Sequence, residues 1–345
     1  MSTTHRIALI PGDGIGQEVI PPATAVLDAV GARHGITFAY DSFDWSCERY
    51  AEQGAMMPAD GLDRIRAHDA ILLGAVGWPG VPDHVSLWGL LIPIRREFSQ
   101  YVNLRPIAVM EGVASPLANA EDVDFVVVRE NSEGEYSEVG GRVGRDIAIQ
   151  EAIFTRTGVS RIADYAFTLA ESRRGHVTSA TKSNGIVHTM PFWDEIVAER
   201  AALHPDVEWR SEHIDALAAK LVLQPGRFDV IVASNLFGDI LSDLAAAVAG
   251  SIGIAPSGNL NPEREFPSMF EPVHGSAPDI AGQDLANPLG AIWSAAMMLD
   301  HLGHPEAAEE ITQAMRTQLA EGNRTRDLGG QAGTHQFTSE LLHRL

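Results

Sequence analysis

Phe228-Asp229-Val230-Ile231-Val232-Ala233-Ser234-Asn235-Leu236-Phe237-Gly238-Asp239-Ile240-Leu241-Ser242-Asp243-Leu244 changes its hydrophobic period halfway along. The first part is an apolar, β-branched run ending in polar Ser234, the pattern of a buried strand. The second recurs at helical spacing and runs into alanines up to Val248. Strand, turn and helix in that order form the building unit of an α/β domain with a largely parallel sheet. The stretch also holds Asp239 and Asp243 at i and i+4, which on a helix stacks both carboxylates on one face. Like charges so placed destabilise by roughly 0.2–0.5 kcal/mol unless something positive lies between them. Leu236, Ala246 and Ala247 share the face, so the pair borders an apolar surface with no evident field of lysines. A hard divalent ion, Mg2+ or Mn2+, prefers oxygen ligands and would answer the pair. A solvated helix face is the plainer reading of Asp-x-x-x-Asp in isolation.

Outward from this stretch the strand–helix alternation continues. Upstream, Ile7 to Ile10 reads as a strand, Pro11-Gly12-Asp13-Gly14-Ile15-Gly16 as a turn, and Gln17 to Val30 as a helix. Gln17 stands where a Gly-x-Gly-x-x-Gly fingerprint needs its third glycine, so the Rossmann reading fails. Ile36 to Tyr40 and Ala70 to Leu73 read as strands, with a helical stretch from Glu48 to Gly54 between them. Trp88 to Pro106 reads as a helix followed by a strand, with Arg95 and Arg105 on the two, and Arg129 ends the next apolar strand from Asp124. Three arginines near element ends in an acidic chain suggest a carboxylate clamp, because guanidinium pairs bidentately with carboxylate. Tyr136 lies in a polar, glycine-rich approach that leaves its hydroxyl room to reach a ligand.

Nearer the opening stretch, Val159 to Arg173 is an amphipathic helix and His176 to Ala180 a strand. Thr181-Lys182-Ser183-Asn184-Gly185 reads as a turn opening a helix to Ala202, and it puts Lys182 where α/β proteins place ligand chemistry. Glu208 to Ile214 is a strand candidate with Asp215 at its end and a helix, Ala216 to Val222, after it. Downstream, Phe270-Glu271-Pro272-Val273-His274-Gly275-Ser276-Ala277-Pro278-Asp279-Ile280 has little regular propensity. Its His274, Gly275 and Asp279 are therefore expected to be held by a ligand or by neighbouring chain. Helices follow from Pro288 to Leu302 and from Glu306 to Glu321.

Composition narrows the function. The 345 residues suit two domains at roughly 150 residues each. The net charge of −21 argues against a nucleic-acid or anionic-membrane surface, so an anionic ligand must be gathered by a local basic cluster. Cys47 is the single cysteine, which rules out an internal disulfide and reads as a small buried hydrophobe of a reducing compartment. The Met1-Ser2-Thr3-Thr4-His5-Arg6 start has no signal-like apolar core, and no apolar run approaches the roughly 20 residues of a membrane span. The expectation is a cytoplasmic protein.

Taken together, Gly12-Asp13-Gly14-Ile15-Gly16, Arg95 with Asn103-Leu104-Arg105-Pro106, Arg129 to Tyr136, Thr181-Lys182-Ser183-Asn184, Asn235 to Asp243 and Glu271 to Asp279 resemble the β-decarboxylating dehydrogenases. The resemblance runs in order over nearly the whole chain. Ser86-Leu87-Trp88-Gly89 and Asn259 to Arg264 resemble the tartrate/D-malate branch of that family. It implies an α/β, isopropylmalate dehydrogenase-like two-domain fold with a shared central sheet and a cleft, not a Rossmann fold. A large domain, 1–98 and 254–345, would carry the cofactor loops; a small domain, 99–253, would carry the metal-binding helix and the dimer interface. It further implies a homodimer whose active sites mix subunits, with Lys182 and Asp215 reaching the partner's site.

Residue by residue, the resemblance assigns the metal to Asp215, Asp239 and Asp243, and the substrate carboxylates to Arg95, Arg105 and Arg129. Lys182 becomes the proton acceptor and Tyr136 the proton donor to C3. Glu271, His274, Gly275, Ser276, Ala277, Asp279, Ile280 and Asn287 fall in the adenosine site. Asp279 suits a ribose diol and would repel a 2′-phosphate, which favours NAD over NADP. K+ is a further candidate cofactor. Isocitrate enzymes bind a third carboxylate through a serine and an asparagine before the first arginine, whereas this face offers Trp88, Leu90, Leu91 and Ile92. The expected reaction is NAD-dependent oxidative decarboxylation of a small 2-hydroxy diacid, D-malate or tartrate, with Trp88 filling the space an alkyl branch would need. The competing readings are a 3-isopropylmalate dehydrogenase using Leu91 and Ile92, a metal-dependent hydrolase, and a noncatalytic regulatory subunit.

Overall fold

The structure, a computed structural model, describes residues 3–117, 120 and 123–345, so the Met1-Ser2 start of the reading above lies outside the described residues. The strands are β1 (Thr3–Gly12), β2 (Ile36–Ser42), β3 (Ala70–Ala75), β4 (Val102–Ala108), β5 (Asp124–Glu130), β6 (Gly140–Val143), β7 (Ile147–Gln150), β8 (His176–Thr181), β9 (Glu208–His213), β10 (Val230–Ala233), β11 (Pro256–Leu260) and β12 (Ser268–Pro272). The chain folds as two compact units, Met1–Gln100 with Met110–Ala114 and Gly250–Leu345, and Tyr101–Val109 with Ser115–Ala249.

In the first unit the strand order is β2-β1-β3-β12-β11. The β1–β2, β1–β3 and β3–β12 pairs are parallel, and the β11–β12 pair is antiparallel. β3 is buried at every position, as expected of a parallel strand covered on both faces. Of the helices against this sheet, Leu289–His301 has ten of its thirteen residues buried, which explains its apolar character all round. Cys47 is fully buried in a cluster with Trp45, Met56, Ile71 and Phe98.

The second unit has the order β4-β5-β10-β8-β9, antiparallel at β4–β5 and parallel elsewhere. The Arg156–Glu171 helix starts at Thr155, whose hydroxyl accepts the Gly158 N–H and so satisfies one of the free amides of the first turn. It buries Val159, Ile162, Ala166 and Phe167, the stripe read from the sequence. β10 leads into the Asn235–Ala249 helix as its change of period requires. Among the described residues β6 and β7 pair only with each other, and every residue of both strands is exposed.

Four features depart from the sequence reading. Lys182 does not open a helix directly: the Gly185 and Ile186 amides both return to the Lys182 carbonyl at 2.9 Å, and the helix starts at Thr189. Glu271 ends strand β12 instead of lying in the irregular loop, because pairing with β11 supplies a strand that Pro256-Ser257-Gly258-Asn259-Leu260 does not announce by propensity. Before Arg95 the helix widens into a π turn over Leu87–Leu91, closed by the Ile92 amide on the Leu87 carbonyl. A last helix, Thr334–Leu342, was not read from the sequence.

Candidate active site

Pairing of Arg105 with Val127 and of Asn103 with Arg129 places Arg105 and Arg129 on the same face of the β4–β5 ladder, since side chains alternate with period two. Both arginines are buried, at 9% and 4% exposure, and both reach the Asn235–Ala249 helix. Arg105 donates from Nη1 to Ser242 Oγ (2.6 Å) and Asp243 Oδ1 (3.1 Å), and from Nη2 to Asp239 Oδ1 at 3.4 Å. Arg129 donates from Nη1 to Asp239 Oδ1 and from Nε and Nη2 to Asn235 Oδ1 (3.1 and 2.7 Å). The positive charge that the stacked carboxylates need therefore comes from arginines on the neighbouring strands. The helix can come so close because residue 238 is glycine: a Cβ there would stand 2.6 Å from Arg129 Cβ. Every arginine bond to the pair lands on Oδ1, and the carboxylates stay partly exposed, at 35% and 59%. Each carboxylate thus keeps Oδ2 for another ligand, a donor set that fits a hard divalent ion.

Lys182 follows β8 and Asp215 follows β9, and the register Thr181↔His213 brings the two strand ends together. Lys182 Nζ donates to Asp215 Oδ1 at 2.6 Å, and that bond, with the charge behind it, holds the Asp215 carboxyl below the usual carboxylate range. Among the described residues of one chain no three His, Cys, Asp or Glu side chains converge to hold a metal, so Asp215 does not join Asp239 and Asp243 within a single copy. The Tyr136 ring centroid is 5.9 Å from the Arg129 guanidinium carbon. Its loop is tied by Glu130, which sequence reasoning missed. This buried carboxylate accepts the Ser132 amide (3.0 Å) and hydroxyl (2.6 Å) and the Glu133 amide (2.6 Å), and burial pushes its carboxyl up. The signal that could have found it was a glutamate closing a buried apolar strand.

In the first unit, Arg95 donates to Glu271 Oε1 at 2.8 Å and Asn259 Nδ2 donates to the same oxygen at 2.8 Å. Glu271 thus neutralises Arg95 from the end of a strand, apart from the loop residues that follow it. Trp88 is half-buried with the Arg96 guanidinium 5.1 Å from its ring, while Leu91 packs on the core cluster behind it.

The loop after β12 is seated on the turn after β1. Ile15 N–H donates to the Ser276 carbonyl (2.8 Å), Ser276 Oγ donates to the Gly77 carbonyl (2.6 Å), and a Cβ at Gly14 would fall 2.1 Å from the Ser276 carbonyl oxygen. Asp13, 3% exposed and also missed as a functional residue, accepts the amides of Cys47 (2.9 Å), Glu48 (3.2 Å) and Gly77 (3.0 Å). Gln17 Nε2 donates back to the Gly12 carbonyl at 2.7 Å, so the glutamine that broke the dinucleotide fingerprint closes its own turn. Within the loop Ala277 adopts φ 36°, a left-handed conformation that costs a non-glycine residue energy and marks a fixed shape. His274 bonds Gly275 O through Nδ1 (2.9 Å), its Nε2 is buried with no partner among the described residues, and burial lowers its pKa. Gly275 and Asp279 are exposed and Ile280 is half-buried. Asn287 caps the Leu289–His301 helix, accepting the Leu289 amide at 3.0 Å and donating to Asp327 at 2.9 Å. An orphaned imidazole nitrogen beside exposed glycine backbone is what an adenosine ring would satisfy, so the loop fits a dinucleotide.

An α/β fold without the dinucleotide glycine fingerprint, with arginines facing paired carboxylates, fits the class that the relatives show, the decarboxylating dehydrogenases. The chain belongs to the isocitrate/isopropylmalate dehydrogenase family, whose sequence profile matches residues 6–343. It is 57% identical to a probable tartrate dehydrogenase/decarboxylase of Bacillus subtilis (strain 168), covering 99% of this chain and 98% of that one. It is 56% identical to the tartrate dehydrogenase/decarboxylase of Pseudomonas putida, over 99% of both chains. A D-malate dehydrogenase (decarboxylating) of Escherichia coli (strain K12) is 55% identical over 99% of this chain and 98% of its own. Among solved structures, isocitrate dehydrogenase from Methylococcus capsulatus superposes with a TM-score of 0.89 at 36% identity, covering 99% of each chain.

Proposed function

We propose that the protein catalyses NAD-dependent oxidative decarboxylation of a small 2-hydroxy diacid, D-malate or tartrate, yielding pyruvate and CO2 in the case of D-malate. The observation that carries this reading is the cluster in which Arg105 bonds both Asp239 and Asp243 while Arg129 bonds Asp239. Carboxylate-binding cations and cation-binding carboxylates stand side by side there, as a hydroxy acid that is also chelated requires. The names of the relatives point the same way: two are tartrate dehydrogenases/decarboxylases and one a decarboxylating D-malate dehydrogenase.

Arg105 and Arg129 hold a substrate carboxylate and Arg95 takes the other. Asp239 and Asp243, with Asp215 of a second copy, would hold the divalent ion. Lys182 of that same second copy accepts the proton of the C2 hydroxyl as the C2 hydride departs, and its bond to the Asp215 beside it fixes where Nζ waits. When bound, Mg2+ or Mn2+ supplies a Lewis acid at the hydroxyl oxygen, and NAD supplies the hydride acceptor. The C3–C4 bond of the resulting 2-keto diacid, a β-keto acid with respect to the C4 carboxylate, then breaks, CO2 leaves, and Tyr136 returns a proton to C3. Trp88 closes the space beside the π turn against a branched substrate.

The active form is proposed to be a homodimer. Val139, Val143, Ile147, Ile149 and Ile153, on and around the β6–β7 ribbon, are exposed, as are Val222, Leu223 and Ile240. Exposed apolar side chains grouped in this way mark a contact surface. No helix among the described residues is long and apolar enough to cross a membrane, which agrees with a cytoplasmic enzyme. Comparing kcat/KM on D-malate, tartrate and 3-isopropylmalate with NAD and Mn2+ tests the reading. A clear preference for 3-isopropylmalate refutes the substrate, and failure to form NADH with any of the three refutes the reaction.

A further inference from the structure

Away from the groups used above, one face of the β8–β9 ladder gathers more positive charge than the protein neutralises. The register pairs Thr178 with Arg210 and His176 with Glu208, so His176, Thr178, Glu208, Arg210 and Glu212 line one side. Glu212, 7% exposed, is approached by three cations: Arg227 Nη2 (2.9 Å), Lys220 Nζ (3.0 Å) and Arg210 Nε (3.2 Å). Even with the exposed Glu208 on the same side counted, three cations face two carboxylates, an excess of one positive charge in a chain whose net charge is −21.

The excess is also unsatisfied. Arg210 Nε lies at ion-pair distance from Glu212 without hydrogen-bond geometry, and Nε and Nη2 are both buried with no acceptor on the described protein. Thr178 Oγ1 and His176 Nδ1, on the same side, are buried and equally without partners. The Arg210 and Arg227 guanidiniums flank the Phe228 ring, at 5.8 and 5.5 Å from its centroid. Desolvation, together with repulsion from Arg227, drives the Arg210 guanidinium below its ordinary pKa despite the opposing pull of Glu212. Buried guanidinium donors are costly unless paired, and tetrahedral or carboxylate oxyanions match their fork.

We infer that Arg210 and Arg227, supported by Lys220 and Thr178, form a site for a small oxyanion of the phosphate or carboxylate class. The site lies beneath the Ile214–Leu223 helix, whose first turn carries Asp215, and it is separate from the arginines assigned to the substrate.

Titration of the intact wild-type protein with inorganic phosphate, against chloride at matched ionic strength, tests it by calorimetry and by the shift in Tm. The expected result is saturable phosphate binding that Arg210→Gln and, independently, Arg227→Gln each weaken at least about tenfold, the loss expected for one charge-assisted contact. Arg105→Gln, which alters only the carboxylate-binding face, leaves this binding intact. Circular dichroism checks that each variant folds, and a phosphate-soaked crystal of the wild type reads the site without any substitution. Phosphate affinity unchanged in both variants overturns the site, as does a map showing only water or a second copy's carboxylate on Arg210. Repeating the titration with citrate separates carboxylate from phosphate preference.

Discussion

Arg129 shows how much a single residue organises. It serves Asp239 and Asn235 at once, and it does so because position 238 carries no side chain. Gly238→Ala places a methyl group inside the Arg129 stem, and overpacking of this kind costs about 1–3 kcal/mol. Urea unfolding should register that loss together with a raised KM for the diacid; an unchanged KM would mean that the guanidinium does not hold the substrate. Lys182 and Tyr136 should separate kinetically. Lys182→Met is expected to abolish the rapid burst of NADH, whereas Tyr136→Phe keeps the burst and slows steady turnover by about 10²-fold. Loss of the burst in both variants would reverse the order of their roles. The arginines, Lys182 and the two helical aspartates were legible because each chemical type stands at a strand end or a helix spacing that function explains. Glu130 and Asp13 were not: the one sequence trace of Glu130 is a glutamate closing an apolar strand, and Asp13, which satisfies backbone amides inside a turn, leaves none.

Elements whose propensity and environment agree were read from the chain within a few residues, among them β5, β8, β10 and the Arg156–Glu171 and Asn235–Ala249 helices. Elements that owe their form to tertiary pairing were not. β11 contains Pro256 and Gly258 and becomes a strand through its bonds to β12, and the π turn at Leu87–Leu91 departs from the helix by one widened bond that no residue type announces. The contact between the turn after β1 and the loop after β12 gives the cofactor proposal its element-level test. Gly14→Ala drives a methyl group into the Ser276 carbonyl and strains a backbone with φ 54°, which displaces the loop. The KM for NAD should rise about tenfold or more while that for the diacid moves little. Equal effects on both would place the loop elsewhere than at the cofactor.

For the molecule as a whole, the buried imidazoles set an acid limit. Burial and the nearby Arg264 hold the His301 pKa down to about 4, and His274, His304 and His176 are lowered in the same direction, chiefly by burial. A histidine whose folded pKa is depressed contributes its full stability above the unfolded value near 6.5. That stability is lost as pH falls from about 6.5 towards 4, because the unfolded chain takes up the proton first. For His301 the loss is at most about 3 kcal/mol. Urea midpoints should therefore fall between pH 7 and pH 5, and His301→Gln, which retains a partner for Ser268 Oγ, should fall less steeply. Parallel curves for variant and wild type would assign the acid sensitivity to other groups.

The β6–β7 ribbon touches water on both sides along its whole length, and two strands alone are only marginally ordered. In the proposed homodimer a second copy would hold this ribbon in place, and dilution should release it. A protease should cut between Val139 and Ile153 ever faster as the concentration drops, turning that short segment into a gauge of how many chains remain joined.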